Sequence, residues 1–267
     1  MPDEVTLTVD DRVAVVTLNR PDRGNAWTVG MEYAFFDALD QCADRTDVGA
    51  VVITGAGRSF CVGADTEELS EIGDLGADRL RPRDPRSPMH ALRVGKPVVA
   101  AINGGCAGMG VVQAAMSDVR FAARGAKITT AFAHRGLVAE HGLSWILPRI
   151  VGVGRAADLL FSGRVITGEE AHRLGFVDHL SENGGVLPDA VAYAHELVSR
   201  SSPASLAAMK AQLYADLART ARVALEQANA LMAKSLLSED FIEGVDSFLE
   251  GRPPRFNGHR GLLDPLD

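Results

Sequence analysis

Two glycine-rich segments carry the strongest chemical signal in this chain. The first runs Val51-Val52-Ile53-Thr54-Gly55-Ala56-Gly57-Arg58-Ser59-Phe60-Cys61-Val62-Gly63-Ala64-Asp65. The second runs Lys96-Pro97-Val98-Val99-Ala100-Ala101-Ile102-Asn103-Gly104-Gly105-Cys106-Ala107-Gly108-Met109-Gly110. Each reads as a buried strand feeding a side-chain-poor turn, with a helical pattern after it. Such turns let a ligand approach bare backbone N–H groups at a helix start, where the dipole favours negative charge. Two N–H groups brought together this way could hold a developing oxyanion. No rival chemistry stands out. The chain has no Gly-x-Ser-x-Gly, P-loop or His-Glu-x-x-His string, and Ser144 lacks the turn glycines of a nucleophile elbow. Gly152-Val153-Gly154-Arg155-Ala156-Ala157 fits a dinucleotide-binding string. Pro148 in the run before it does not suit a central strand, so the string reads as a helix start.

The elements that must position these turns follow from periodicity. Val5 to Asp10 and Arg12 to Leu18 alternate apolar and polar residues and predict a hairpin turning at Asp10-Asp11. Arg20 to Ala26 is a loop by its Pro, Gly and Asn content. Met31 to Ala43 has helical spacing, and Ala50 to Thr54 is a β-branched buried strand. Val111 to Met116 continues the second turn as a helix. Short strands are expected at Val119–Ala122, Ala126–Thr130 and Phe176–His179, with helices at Val153–Phe161 and Glu169–Leu174. From Leu187 the chain turns almost wholly helical. Ser202-Pro203 supplies an N-cap and first-turn proline for a helix through Leu217, and helices follow at Arg222–Leu237 and Phe241–Leu249. Ser70 to Pro88, carrying Arg79, Arg81, Arg83 and Arg86, reads as a surface loop, with a grip on an anionic ligand as the sharper alternative.

Composition bounds the function. The 267 residues are 46% hydrophobic, enough for a large core in one domain or one domain plus an appendage. A net charge of −8 without a basic run argues against nucleic-acid binding. Cys42, Cys61 and Cys106 are widely spaced and odd in number, giving neither a disulfide framework nor a metal-ligand pattern. They suggest a reducing, cytoplasmic setting. Met1-Pro2-Asp3-Glu4 lacks the basic start and apolar stretch of a signal peptide. No apolar run approaches the roughly 18 residues of a membrane span, so no membrane partner is expected.

Four segments together resemble the crotonase superfamily, the enoyl-CoA hydratase/isomerase fold, nearly end to end. Leu18 to Ala26 is similar to the family's loop along the adenine and phosphates of coenzyme A. Phe60 to Asp65 is similar to its first oxyanion-hole turn, and Ile102 to Gly110 to its second. Ser238 to Val245, Phe248-Leu249-Glu250 and Pro254-Arg255-Phe256 resemble its C-terminal signature. The resemblance implies an α/β spiral of strand-strand-helix repeats over 1–200, binding acyl-CoA. It implies a helical region over 201–267 for trimerisation and pocket cover. The implied partner is an acyl-CoA thioester, with no cofactor beyond the coenzyme A of the substrate, in a homotrimer or dimer of trimers. The oxyanion donors would be the N–H groups of Ala64 and Met109. Arg23, Ala26, Gly63, Asp65 and Gly105 would belong to the ligand site. Arg255 either reaches a phosphate of coenzyme A or is a plain solvated tail.

The chain departs from the family's hydratase pattern. The two positions where hydratases carry glutamates are Val112 and Phe132, and neither side chain can take a proton from water. One carboxylate remains, in Gly136-Leu137-Val138-Ala139-Glu140-His141-Gly142, which resembles the segment where family isomerases carry a single acid. Glu140 is therefore the expected base, beside the plainer reading of a helix N-terminal acid. His134 and His141 flank it and read as structural histidines more than proton partners. Asp65 reads as the N-cap of a helix over Thr66–Ile72. The implied activity is a double-bond shift in an enoyl-CoA. A hydratase with a non-standard acid/base set and a non-catalytic acyl-CoA binder are the alternatives.

Overall fold

The computed structural model describes residues 3–68, 70, 84–86, 88–182 and 185–263. The chain opens with β1 (Val5–Asp10) and β2 (Val13–Leu18), the expected antiparallel hairpin with its turn at Asp11-Arg12, one residue beyond the expected Asp10-Asp11. Asp11 and Arg12 close it with φ of 38° and 66°, the backbone twist that a two-residue hairpin turn needs. Helix α1 (Val29–Asp44) follows, capped by the Thr28 hydroxyl, which accepts from the Met31 N–H.

The next stretch repeats one plan. β3 (Ala50–Gly55) leads into β4 (Ser59–Cys61), and after α2 (His90–Arg93), β5 (Val98–Ile102) leads into β6 (Gly105–Ala107) and α3 (Met109–Ala115). β7 (Val119–Ala123) leads into β8 (Lys127–Thr129), then α4 (Leu143–Val151) and α5 (Val153–Ser162). At each turn the first strand joins a six-stranded sheet, ordered β1-β2-β3-β5-β7-β10, and the second joins a four-stranded sheet, ordered β4-β6-β8-β9. The pairings β2–β3, β3–β5 and β5–β7 are parallel, as are β4–β6 and β6–β8. This is the expected spiral of strand-strand-helix turns. The remaining elements are β9 (Ile166–Thr167), α6 (Gly168–Leu174), β10 (His179–Ser181), α7 (Val186–Arg200), α8 (Pro203–Ala215), α9 (Ala221–Ser235) and α10 (Glu239–Glu250).

Both faces of the larger sheet are covered, which is why β3 and β5 are apolar without alternation. Val51, Ile53, Val98, Ala100 and Ile102 face the main core with α1 and α3. Val52, Val99, Ala101 and Phe121 face Val186, Ala190, Ala194 and Val198 of α7.

Several expectations are corrected. The strand expected at Phe176–His179 is displaced to His179–Ser181, because the Phe176 and Val177 N–H groups bond the Ala171 carbonyl and close α6 instead. The helix expected through Leu217 ends at Ala215. The helix start expected at Gly152-Val153-Gly154 is found, with Gly152 as the N-cap of α5, and Pro148 lies in a helix and not a strand. The glycine-rich segments contain short strands as well as turns. Arg86 is not available to an anion: it bonds Asp37 and Asp40 at 2.7 Å each and also Asp84. Arg79, Arg81 and Arg83 lie outside the described residues, as do Leu69, Glu71 and Ile72 of the helix expected over Thr66–Ile72.

Helix α8 is locked to the core by a buried cation. Lys210, 5% exposed, donates to the Ala91 and Lys96 carbonyls and at 2.8 Å to Asp118, whose other oxygen accepts from the Tyr214 hydroxyl at 2.7 Å. Burial pushes the Lys210 ammonium down, and Asp118 opposes that. Removing one partner of such a pair strands the other charge. Asp118→Ala is expected to cost about 3–5 kcal/mol, and Tyr214→Phe only about 1 kcal/mol, in urea denaturation.

Candidate active site

The two glycine turns meet. A Cβ at Gly108 would lie 3.5 Å from the Gly63 Cα, and one at Gly63 would lie 3.4 Å from the Ala107 carbonyl oxygen. Both glycines hold positive φ, 102° at Gly63 and 49° at Gly108, which L side chains rarely adopt. The backbone around each turn is otherwise bonded. The Trp27 N–H donates to the Gly63 carbonyl at 2.7 Å, the Asp65 N–H to the Trp27 carbonyl at 2.9 Å, and the Gly108 N–H to the Thr129 carbonyl at 3.2 Å. The Ala64 and Met109 N–H groups fall between these bonds. Among the described residues neither has a protein acceptor. Ala64 is solvent-exposed, and the Met109 side chain is buried at the start of α3.

The neighbours are apolar. Phe132, 6% exposed, brings its ring to 4.0 Å from a Cβ at Gly108. Val112 is fully buried one turn along α3. Gly105 lies in β6 against Ser59 and Val62, and Val62 also covers Gly24 of the 20–26 loop. Sequence reasoning missed Gln113, also fully buried, which donates to the Met109 sulfur at 3.7 Å. A polar residue one turn beyond Met109 on the same helix face was the available signal.

Glu140 lies on a turn that the fold brings against α3. The turn is closed by the Leu143 N–H on the Glu140 carbonyl at 2.9 Å. His141 and Gly142 both hold left-handed backbone, φ 55° and 79°. Gly142 packs against Met116, at the far end of α3, and Met89. The Glu140 carboxylate is 33% exposed, and His141 Nε2 stands 3.2 Å from its Oε2. His134 instead bonds the Ser162 carbonyl at 2.7 Å, a structural histidine.

Asp65 does more than cap a helix. One oxygen accepts from the Glu67 N–H at 3.0 Å, and the other from Arg20 at 2.9 Å. Arg20 also donates to the Ala26 carbonyl at 2.6 Å and pairs with Glu4 at 3.2 Å. The loop holding Arg23 and Ala26 is thereby tied to the first donor turn. Arg23 itself is exposed and pairs with Glu67 at 2.9 Å. Arg255 is exposed in the segment after α10, where its backbone N–H bonds Glu243 at 2.6 Å, and among the described residues its guanidinium has no ion-pair partner. Among the described residues no cluster of His, Cys, Asp or Glu could hold a metal, and no helix is long and apolar enough to cross a membrane.

An α/β spiral whose two glycine turns touch, each beside a backbone N–H without an acceptor among the described residues, suits an enzyme that binds a carbonyl oxygen. The comparisons agree. The family model for enoyl-CoA hydratase/isomerase matches residues 8–259. An enoyl-CoA hydratase of Alternaria alternata is 34% identical over 255 residues, covering 92% of this chain and 83% of its own. A 1,2-epoxyphenylacetyl-CoA isomerase of Escherichia coli is 31% identical over 255 residues, covering 94% and 97%. The crystal structure of an enoyl-CoA hydratase from Polaromonas superposes with a TM-score of 0.87 at 27% identity, covering 95% and 99%. The chain belongs to the enoyl-CoA hydratase/isomerase family and is an enzyme of the crotonase superfamily.

Burial pushes the Asp65 carboxyl up, but the bonds from Arg20 and the Glu67 N–H outweigh it and hold it below the ordinary range. A carboxyl depressed in the folded state adds stability above its unfolded pKa of about 3.9, and that stability is lost as pH falls through the lower folded value. Arg20→Met is expected to move the acid-unfolding midpoint to higher pH and to cost about 3 kcal/mol at pH 7, read by circular dichroism.

Proposed function

We propose that the enzyme shifts the double bond of an enoyl-CoA with a single carboxylate base. The thioester carbonyl points at the Ala64 and Met109 N–H groups, which stabilise the enolate as it forms. One such donor is worth about 2.7–4 kcal/mol of barrier. Glu140 takes a proton from the α carbon of a 3-enoyl-CoA and returns it at the γ carbon, giving the conjugated 2-enoyl-CoA. Val112 and Phe132 keep water from the enolate, which suits isomerisation over hydration. Arg23, Ala26 and Arg255 hold the nucleotide end, and no cofactor beyond the substrate's coenzyme A takes part. The observation that carries this reading is the pair of unbonded N–H groups on apposed turns with apolar side chains, not carboxylates, beside them.

A hydratase reading is favoured by the names of relatives such as the Alternaria enoyl-CoA hydratase and a probable enoyl-CoA hydratase of Bacillus subtilis. The same site would then position water with Glu140 alone. Assembly as a homotrimer or dimer of trimers is supported by exposed Leu225 and Met232 on α9 and Ile242, Phe248 and Leu249 on α10. A cytoplasmic setting is supported by three buried free thiols.

The test is incubation with a 3-enoyl-CoA and, separately, with crotonyl-CoA. Conjugation of the first without hydration of the second is expected; rapid hydration of crotonyl-CoA would overturn the isomerase reading. Glu140→Gln is expected to lower kcat about 100-fold or more while leaving coenzyme A thioester binding intact.

A further inference from the structure

We infer that His141 is a positioning residue for Glu140, holding one carboxylate oxygen so that the other faces the substrate. This rests on the reading of Glu140 as the base. Residues next to each other in sequence ordinarily point their side chains apart. Here the left-handed backbone at His141, φ 55°, brings the ring back over its predecessor, with Nε2 3.2 Å from Glu140 Oε2. A non-glycine residue holds such a conformation only where its surroundings over-determine it, and such residues cluster at functional sites.

The rest of the turn is fixed from outside. The Leu143 N–H bonds the Glu140 carbonyl, and Gly142 is wedged against the Met89 and Met116 side chains, which offer the carboxylate no strong donor. The His134 ring bonds the Ser162 carbonyl and the Arg135 guanidinium the Ala131 carbonyl. Among the described residues His141 is the only charged or chargeable side chain paired with Glu140.

The chemistry is one of orientation. A glutamate on a surface turn rotates about three side-chain bonds, so only a fraction of its conformers present an oxygen to the α carbon. The imidazole held 3.2 Å from Oε2 restricts that freedom by close contact, without an aligned hydrogen bond, and leaves Oε1 as the proton acceptor. The tautomer with the proton on Nε2 serves this role.

Two variants test it. His141→Gly removes the ring yet favours the left-handed backbone, so the fold is kept and the thermal midpoint does not fall. His141→Gln puts an amide N–H at the place of Nε2. With a 3-enoyl-CoA as substrate, His141→Gly is expected to lower kcat about ten-fold with KM within about two-fold, and His141→Gln to restore kcat to within about three-fold of the natural protein. A wild-type kcat in His141→Gly, or a His141→Gln variant as slow as His141→Gly, would overturn the proposal. Glu140→Gln assayed alongside separates the two readings: if it is inactive while His141→Gly is unimpaired, only the positioning role is lost. If Glu140→Gln is fully active, or the natural protein does not move the double bond, the base reading fails and takes this proposal with it.

Discussion

The proposed site depends on two backbone N–H groups that have no acceptor among the described residues, while the Gly63 carbonyl and the Asp65 and Gly108 N–H groups beside them are bonded. Most backbone N–H groups of a folded chain find a partner in the protein or in water, and the local geometry shows why these two find none among the described residues. Here the cause is the register of the Trp27–Ala64 bridge and the start of α3. In the bridge, Trp27 uses the Gly63 carbonyl and the Asp65 N–H, which skips the Ala64 N–H between them. At the second turn, Met109 is the first residue of α3 and has no preceding carbonyl in helical register.

Bringing those atoms to one place is the work of the two sheets. β4 and β6 are parallel neighbours with Cys61 opposite Cys106, and each donor lies three residues beyond its cysteine. The turns therefore leave the smaller sheet side by side and touch through Gly63 and Gly108. A side chain at either glycine would meet only ordinary contacts but would have to hold a strained positive φ. The three cysteines are buried and unpaired, and burial pushes the Cys61 thiol up to about 12, so they pack as small apolar residues.

The ligand loop and the first donor turn form one mechanical unit. Arg20 joins the Ala26 carbonyl, Asp65 and Glu4, and the Val62 N–H bonds the Gly24 carbonyl. In the proposed binding mode, contacts at the nucleotide end of a long thioester would be made to the same rigid body that presents the Ala64 N–H. Remote binding energy is useful to catalysis when it fixes the reacting end, and this linkage gives it a path.

Much of this was legible in the sequence, because period and glycine are local signals. Alternation marked the β1–β2 hairpin, the apolar runs marked β3 and β5, and the glycines at 63 and 108 marked turns with positive φ. The absence of carboxylates at Val112 and Phe132 was also visible from residue type alone. What the sequence could not reveal are features made by contacts between distant segments. The strands Ser59–Cys61 and Gly105–Ala107 are short and glycine-bounded, and only their pairing with each other makes them strands. Pro148 argued against a central strand, but only packing of α4 against α5 shows it inside a helix. Asp65 read as a local cap because its partner Arg20 lies 45 residues away. His141 holds a left-handed backbone that no residue pattern announces, and with it a side chain close to Glu140. Residue types thus determined which chemistry was available. Tertiary structure decided which groups meet, because hydrogen bonds and ion pairs between remote segments have no footprint in local periodicity.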